Sequence, residues 1–385
     1  MLNFEFYNPT KILFGRGMIA KLDEQLSPHA KVLVLYGGAS AEKSGTLPEV
    51  RQALGQRNVK EFGGIEANPT YETLMKAVEV VRSEGIDFLL AVGGGSVMDG
   101  TKFVSAAAKY DGEPWDILTS QGEAVQEVVP LGTVVTLPAT GSEMNSISVI
   151  SRQSTGDKLL FANPKVFPRF SILDPTRTYS LPMRQVVNGV ADSFVHVMEQ
   201  YMTYPAQGMV QDRYAEGLLS SILEIGGKIV DAPEDYDVRA NMMWVATQAL
   251  NGLVGAGVPE DWTTHMIGHE LTAKYHIDHA RTLAVVFPAL LKVRRDSKRE
   301  KLLQYASRVL HLTEGTDDER IDAVIAQTES FFESLGMPTR LSGYDIGQDG
   351  ITAIVGQLEQ HGMTALGEHK DITLEISRQI LETAA

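Results

Sequence analysis

Histidine is concentrated in one stretch of this sequence. Five of the nine histidines fall between residues 196 and 279. Four of them lie within fifteen residues: His265, His269, His276 and His279. Side chains four residues apart on a helix project from the same face, about one turn from each other. Asp192 and His196 have this spacing in a segment of helical periodicity, and the pair of His265 and His269 repeats it.

One carboxylate with two or three imidazoles is a donor set suited to a borderline divalent ion such as Zn²⁺ or Fe²⁺. A lone histidine on a helix is more often a hydrogen-bonded structural residue. Two pairs at helical spacing favour a metal site instead, although spacing leaves open which of the four late histidines bind. Glu199 shares a face with Asp192 and is either a further ligand or, as we expect, part of an ordinary ion pair.

A glycine-rich turn is the second chemical feature. Gly94, Gly95 and Ser96 follow a continuous apolar run and open a helical stretch. Glycines let backbone N–H groups approach a pyrophosphate, the start of a helix adds positive partial charge, and Ser96 offers a hydroxyl or a helix cap. A tight turn without a ligand is the alternative, because the segment departs from G-x-G-x-x-G. Its position after a buried strand favours phosphate binding.

Two other turns supply small or hydroxylated residues. Gly37, Gly38 and Ser40 follow the first strong apolar run. Sites that prefer NAD usually place an acidic residue near the adenosine ribose, whereas a 2′-phosphate needs that charge removed. Neutral residues at this turn therefore favour NADP(H), with a plain loop as the alternative. Thr140 and Ser142 offer hydroxyls to a phosphate or a nicotinamide.

The elements that must position these residues change in character along the chain. A helix is predicted over Thr70–Ser83 and strands over these segments: Lys31–Tyr36, Val59–Phe62, Asp87–Val92, Gly132–Leu137 and Phe170–Leu173. Strand, helix, strand order predicts a doubly wound, Rossmann-like parallel sheet. Helical periodicity dominates from about Leu181. We therefore predict an α/β dinucleotide-binding domain over residues 1–180 and an all-α metal-binding domain over residues 181–385.

Composition excludes several classes of function. A formal charge of -15 opposes binding to nucleic acid or to an anionic membrane surface and favours a small-molecule partner. The absence of cysteine excludes disulfides, thiolate zinc sites and a thiol nucleophile. Glu5, Asn8 and Pro9 stand where a signal peptide has its apolar core, and Pro288 interrupts the longest apolar stretch, so a soluble, cytoplasmic protein is expected.

Taken together, the motifs resemble those of the iron-containing (group III) alcohol dehydrogenase family, in particular its branch of NADPH-dependent aldehyde reductases and butanol dehydrogenases. The resemblance extends over essentially the whole chain. Its segments are Pro9–Gly15, Gly93–Ser96 with Asp99 and Lys102, Leu137–Glu143, Asn188–Asp192 with His196, and Gly255–His279. It implies a dehydroquinate synthase-like fold and metal-dependent reduction of short-chain aldehydes to primary alcohols by a homodimer.

The resemblance also implies roles for individual residues. Asp192, His196, His265 and His279 correspond to the family's metal ligands, and His269 to a histidine close to the metal and the nicotinamide without being a ligand. His276 is then a surface or loop residue. The residues expected to contact NADP(H) are Gly37, Gly38, Ser40, Gly94, Gly95, Ser96, Asp99, Thr140, Ser142 and Lys158.

Two other enzyme classes share this scaffold. A dehydroquinate-synthase-like lyase or a polyol-phosphate dehydrogenase would need additional basic residues to hold a phosphorylated or carboxylated substrate, and the sequence offers few around the site. A nucleotide-sensing binding protein is the non-enzymatic alternative. Tight NADPH binding without a metal and without turnover would distinguish it.

Overall fold

The computed structural model describes residues 1–385 and groups them into two compact units. One unit comprises Tyr7–Pro182 with Pro233–Asn251, and the other comprises Met1–Phe6, Met183–Ala232 and Gly252–Ala385. None of the helices combines the length and the apolar character that a membrane span requires.

The strands, numbered along the chain, are β1 Lys11–Phe14, β2 Lys31–Tyr36, β3 Asn58–Phe62, β4 Phe88–Gly93, β5 Leu131–Val135, β6 Ile147–Arg152, β7 Asp157–Ala162, β8 Phe170–Leu173, β9 Ala365–Leu366 and β10 Ile372–Thr373. The helices are α1 Ser40–Lys43, α2 Thr46–Leu54, α3 Tyr71–Glu84, α4 Gly95–Ala107, α5 Asp116–Thr119, α6 Met183–Tyr201, α7 Met209–Ile229, α8 Tyr236–Ala249, α9 Thr263–Tyr275, α10 His279–Val293, α11 Arg299–Arg308, α12 Asp317–Ser334, α13 Gln348–Gln360 and α14 Leu374–Thr383.

A parallel sheet of six strands, in the order β1-β8-β5-β4-β2-β3, forms the centre of the first unit. Successive side chains of β2 enter two different cores, Leu33 and Leu35 on one face and Val32 and Val34 on the other. Strands buried on both faces are nearly continuously apolar, which explains the apolar runs in the sequence. The predicted doubly wound sheet is confirmed.

Two features of this unit were not predicted from the sequence. The edge strand β1 has only four residues, and β6 and β7 form an antiparallel hairpin. The turn before β7 contains Gly156 at a φ of 76°, a left-handed conformation that favours glycine. Helix α8 also packs within this unit, where Thr247 donates a hydrogen bond to Glu143 and Trp244 lies edge-on to Phe14.

The second unit is helical apart from the two-residue strands β9 and β10, as predicted. Helix α6 is buried almost continuously from Val186 to Tyr201, and it packs against α7 and α10. Helix α10 contains the longest apolar stretch together with Pro288, and it also packs against α9. This packing holds α6, α9 and α10 side by side, and these helices carry the aspartate and histidines singled out above.

Candidate metal centre and nucleotide-binding turns

Three helices of the second unit bring one aspartate and three histidines together. Oδ1 of Asp192 lies 3.6 Å from Nε2 of His196, 3.8 Å from Nε2 of His265 and 3.8 Å from Nε2 of His279. These separations exceed hydrogen-bonding distance. Four donors placed tetrahedrally at about 2.1 Å from a zinc ion would stand about 3.4 Å apart. The observed spacing is therefore close to that of a metal-binding set.

Burial makes this arrangement costly without a further partner. Asp192 is 4% exposed and His265 is 6% exposed, yet Oδ1 of Asp192 and Nε2 of His265 have no hydrogen-bond partner. Leaving a buried polar atom unsatisfied costs about 1–3 kcal/mol. The donor atoms of Asp192, His265 and His279 all lie within 4.8 Å of one another. Aspartate oxygen and histidine nitrogen are ligands of Zn²⁺ and Fe²⁺, so the residues present fit such an ion.

The electrostatics of the group favour the protonation states that metal binding requires at Asp192 and His196, but not at His265. Burial would raise the pKa of Asp192, but the neighbouring imidazoles outweigh it and hold that pKa below its usual range. Burial lowers the pKa of His196 to about 4, against the charge of Asp192. Burial would also lower the pKa of His265, but Glu199 and Asp192 raise it to about 9. An ion bound at His265 must therefore displace a proton.

Glu199 has a specific partner that the sequence did not identify. Its carboxylate contacts Nδ1 of His265, on the opposite side of the ring from Asp192. The same carboxylate accepts hydrogen bonds from the backbone N–H of Thr264 at 2.6 Å and of His265 at 3.3 Å. The predicted ion pair therefore exists, and its partner is one of the candidate ligands. The only feature of the sequence that pointed to Glu199 was its position on the same face of α6 as Asp192.

His269 lies beside the candidate ligands. Its ring centroid is 4.8 Å from that of His279 and 6.1 Å from that of His265. The Trp262 ring is 5.3 Å from the His265 ring, and its indole N–H donates to Glu260. His276 is exposed and ends α9 at a φ of 56°, in agreement with the expected surface or loop position.

The start of α10 is tied to α6 next to His279. Asp278, the residue before the helix, accepts hydrogen bonds from Arg184 at 2.7 Å and from Asn188 at 2.9 Å. Arg184 and Asn188 lie two turns and one turn before Asp192 on the same face of α6. Because His279 follows Asp278 directly, this anchor holds its imidazole beside Asp192.

The glycine turn lies in the first unit, between β4 and α4, where it was predicted. A Cβ at Gly95 would stand 2.5 Å from Oγ1 of Thr140, and one at Gly94 would stand 3.1 Å from Cβ of Leu137. Real Cβ atoms essentially never approach to 2.5 Å, and at 3.1 Å the neighbouring side chain would have to move by a few tenths of an ångström. The turn therefore requires glycine for its own packing as well as for access to its backbone N–H groups.

Lys158 is brought to the same turn through Asn68. The Asn68 backbone N–H donates to Oγ of Ser96 at 3.3 Å, and Nζ of Lys158 donates to Oδ1 of Asn68 at 3.0 Å. Lys158 lies on β7 of the hairpin rather than in a loop. The hairpin thus places a basic side chain beside the start of α4, which the sequence pattern did not indicate.

A buried lysine connects α4, the helix that the glycine turn opens, to the turn at Thr140–Ser142 and the residues after it. Nζ of Lys102 donates to Oγ of Ser142 at 2.9 Å, to Oδ1 of Asn145 at 2.8 Å and to the carbonyl of Ile147 at 2.8 Å. Oγ of Ser142 donates in turn to Asp99 at 2.6 Å. Burial lowers the pKa of Lys102 to about 8, although nearby carboxylates oppose the shift.

Ser142 and Asp99, both expected to contact the cofactor, already form hydrogen bonds within the protein. The Ser142 hydroxyl is buried and already both accepts and donates within the protein. The half-buried Asp99 also accepts from the backbone N–H of Val149 at 3.0 Å. Their direct contact with a cofactor stays a prediction.

The turn predicted to favour NADP(H) follows β2. Gly37 is partly exposed, whereas Gly38, Ala39 and Ser40 are exposed, and Ser40 begins the short helix α1. A Cβ at Gly37 would stand 3.2 Å from the carbonyl oxygen of Ile65, so a larger residue would crowd this turn. The hydroxyl of Ser40 is accessible to solvent at the carboxyl end of a parallel strand, where α/β sheets bind ligands.

Family models match both parts of the chain. The model for iron-containing alcohol dehydrogenase matches residues 9–175. The model for the C-terminal part of the Fe-containing alcohol dehydrogenase family matches residues 186–384. The chain belongs to the iron-containing alcohol dehydrogenase family. This assignment confirms the resemblance inferred from the motifs and identifies the fold as that of a family of oxidoreductases.

Members of this family align with the chain from end to end. The NADPH-dependent aldehyde reductase YqhD of Escherichia coli is 58% identical over 386 residues, which are 100% of both chains. A probable NADH-dependent butanol dehydrogenase of Bacillus subtilis is 40% identical over 389 residues, also 100% of both chains. The crystal structure of E. coli YqhD superimposes with a TM-score of 0.98, covering 100% of this chain and 99% of that one.

Proposed function

We propose that this protein is a metal-dependent alcohol dehydrogenase that works mainly as an NADPH-dependent reductase of short-chain aldehydes to primary alcohols. One observation carries the proposal: a buried, unpartnered aspartate oxygen faces three imidazole nitrogens at 3.6–3.8 Å. Membership of an oxidoreductase family supports it. The proposed ligands of the ion, Fe²⁺ or Zn²⁺, are Asp192, His196, His265 and His279.

The four ligands would hold the ion, which would supply Lewis-acid chemistry for the aldehyde carbonyl, and a reduced nicotinamide would supply the hydride. The four protein ligands contribute one negative charge, from Asp192, and three neutral imidazoles. With a divalent ion bound, a site of this composition would keep a net positive charge, which would favour an alkoxide at the substrate oxygen. The side chain of His279 keeps 25% of its surface exposed, which is consistent with an accessible site.

The alkoxide must receive a proton, and we assign its delivery to His269. This imidazole lies beside His279 and His265 without being one of the proposed ligands. It is partly exposed, so it can exchange protons with solvent directly or through an ordered water. The Trp262 ring lies beside His265 and His196, and we assign it to the wall that receives a short aliphatic substrate.

The turn after β2 supports a preference for NADPH. Gly37, Gly38 and Ser40 bring no negative charge to the position of an adenosine 2′-phosphate. The E. coli relative, 58% identical, carries an NADPH-dependent name, whereas the B. subtilis relative, 40% identical, carries an NADH-dependent one. Ala39 stands where this branch of the family often has a third glycine, so the turn is the place where this preference should be tested. Gly94, Gly95 and Ser96 would hold the pyrophosphate.

We further propose a cytoplasmic homodimer that binds neither nucleic acid nor membrane. Twofold homodimers are the commonest closed assemblies of soluble proteins. The net charge of -15 opposes association with phosphate-rich surfaces. Sedimentation equilibrium of the purified protein measures the assembly state directly.

The first experiment follows NADPH oxidation with butanal as substrate. We expect activity with NADPH to exceed activity with NADH, to disappear after chelation and to return with Zn²⁺ or Fe²⁺. One NADPH should be oxidised for each butanol formed, whereas a lyase regenerates its nucleotide in every turnover. Activity that persists in protein shown to contain no metal would refute the proposal.

A further inference from the structure

Glu199 occupies a position that the proposed reaction does not yet use. It is 2% exposed, and its carboxylate is surrounded by three donors: Nδ1 of His265 and the backbone N–H groups of Thr264 and His265. Burying a carboxylate is expensive unless hydrogen bonds or charges compensate it. This buried carboxylate lies directly behind His265, a candidate metal ligand.

We propose that Glu199 is a positioning residue that holds the proton of His265 on Nδ1 and thereby presents Nε2, unprotonated, to the metal. This inference rests on the proposed metal site. A neutral imidazole carries one proton, and the hydrogen bond made by one nitrogen determines which nitrogen is free to bind a metal. A carboxylate only accepts hydrogen bonds, so Glu199 selects the Nδ1–H form of His265.

The geometry also excludes Glu199 as a ligand in its present position. Nδ1 and Nε2 lie on different sides of the imidazole, and Nε2 of His265 points toward Asp192 while Nδ1 points toward Glu199. The other carboxylate oxygen is held by two backbone N–H groups at the start of α9. Both carboxylate oxygens of Glu199 therefore have partners on the Nδ1 side of the His265 ring, away from Asp192.

A single substitution separates this role from the general packing of the site. In Glu199→Gln the size is unchanged, but the amide has one oxygen and one NH₂. If the oxygen accepts from the backbone of Thr264, the NH₂ faces Nδ1 and forces the His265 proton onto Nε2. If the amide is turned over, its NH₂ opposes two backbone donors. The first orientation opposes metal binding at Nε2, and we expect it because the second sets an NH₂ group against two backbone donors.

The test is the Zn²⁺ affinity of purified protein, measured by competition with a chromophoric chelator. We expect Glu199→Gln to bind Zn²⁺ about 10- to 100-fold more weakly than the unaltered chain, the usual effect of losing a group that orients a ligand. Glu199→Asp, which keeps the charge but shortens its reach, should fall between the two. Equal affinities for Glu199→Gln and the unaltered chain would overturn the proposal.

Glu216→Gln is the matched control. Glu216 is 5% exposed in the same unit, and it accepts hydrogen bonds from Tyr201, Gln304 and Arg308 without contacting the candidate ligands. Its substitution removes the same charge from a buried network, so a general loss of packing would weaken Zn²⁺ binding in both variants. We expect its Zn²⁺ affinity to stay within about twofold of the unaltered value, since the effect belongs to the group behind the ligand.

A second measurement requires no variant of Glu199 and therefore does not depend on whether that variant folds. Zn²⁺-loaded protein labelled with ¹⁵N-histidine should show His265 with its proton on Nδ1, identified as the signal lost in His265→Ala. A proton on Nε2 of His265 would overturn the proposal. If His265→Ala binds Zn²⁺ as the unaltered chain does, the proposed metal site itself fails. If His265→Ala loses Zn²⁺ while Glu199→Gln retains it, only the positioning role fails.

Discussion

The glycine turn between β4 and α4 and the histidine group on α6, α9 and α10 differ in their hydrogen bonding. The polar atoms of one region have partners within the protein, and some of the other region do not. Beside the turn, Lys102 of α4 donates hydrogen bonds to three acceptors, and Ser142 both accepts and donates one. In the histidine group, buried atoms of Asp192 and His265 have no hydrogen-bond partner. The polar atoms around the turn have partners within the protein, whereas the histidine group leaves buried atoms unpartnered where we propose an ion.

Substitutions in the two regions should therefore affect different properties, namely folding stability at the turn and metal binding at the histidine group. Close packing fixes the shape of the glycine turn, so changes there should reduce the free energy of unfolding and only then affect nucleotide binding. The candidate ligands lie on three helices, of which α10 packs against both α6 and α9. Removing one imidazole should therefore affect metal binding far more than folding. Each of the following variants tests one side of this contrast.

The largest effect is expected from His265→Ala. Losing a ligand should exceed the 10- to 100-fold effect typical of an outer residue, so we expect Zn²⁺ affinity to fall by more than about 100-fold. NADPH affinity should be unchanged, because the glycine turn belongs to the other unit. Chelator competition and fluorescence titration measure the two affinities. His276→Asn is the matched control, since His276 is exposed directly after the same helix and Asn tolerates its positive φ. Retained Zn²⁺ in His265→Ala would contradict the ligand assignment.

The next largest effect is expected from Lys102→Met. The variant leaves the carboxylate of Asp99 without its nearby cation and removes three hydrogen bonds of the fully buried amine. Breaking a buried charged network in this way costs about 3–5 kcal/mol. Urea unfolding should show this loss, whereas Lys76→Met, at an exposed position on α3, should change the free energy of unfolding by less than about 0.5 kcal/mol. Equal stabilities of the two variants would show that the Lys102 network contributes nothing.

The sequence was most informative where local pattern and burial coincide. The bounds predicted for the strands at Lys31–Tyr36 and Phe170–Leu173 are those observed, because both are apolar runs buried in the sheet. The short edge strand β1 and the hairpin of β6 and β7 are only partly buried, and they were not predicted. Asp192 and His196 were paired by their spacing on one helix, and the structure places them 3.6 Å apart.

Spacing alone could not assign the later histidines. His276 and His279 are three residues apart, but α9 ends at His276 in a left-handed conformation while α10 begins at His279. That break turns one imidazole to the surface and the other toward Asp192, and it arises from helix packing that no local pattern reveals. The resemblance to the family supplied the choice. Likewise, the partner of Glu199 lies 66 residues away, beyond any local periodicity.

A smaller effect is expected from Gly95→Ala. The added Cβ would stand 2.5 Å from Oγ1 of Thr140, so Thr140 must move and the turn must open. Overpacking of this kind costs about 1–3 kcal/mol. We expect lower stability and weaker NADPH binding with unchanged Zn²⁺ affinity. Gly217→Ala on α7 has no heavy atom within 4 Å of the new Cβ, so it should be neutral or stabilising by up to about 1 kcal/mol. Unaltered stability and NADPH affinity in Gly95→Ala would argue against a turn fixed by packing.

The smallest effect is expected from Asn188→Ala, which weakens the link between α6 and the start of α10. Asp278 would keep its bond to Arg184 and lose the one from Asn188 at 2.9 Å. A hydrogen bond of this kind contributes about 1 kcal/mol, so His279 should be held less firmly and Zn²⁺ affinity should fall about fivefold. Asn241→Ala removes an exposed side-chain amide that bonds only to the backbone of Asp237, and it should leave Zn²⁺ affinity unchanged. If both variants bind Zn²⁺ equally well, the helices alone are sufficient to place His279. The metal centre would then depend on the packing of its elements, as the glycine turn does, and the contrast between the two regions would be confined to the unsatisfied ligand atoms themselves.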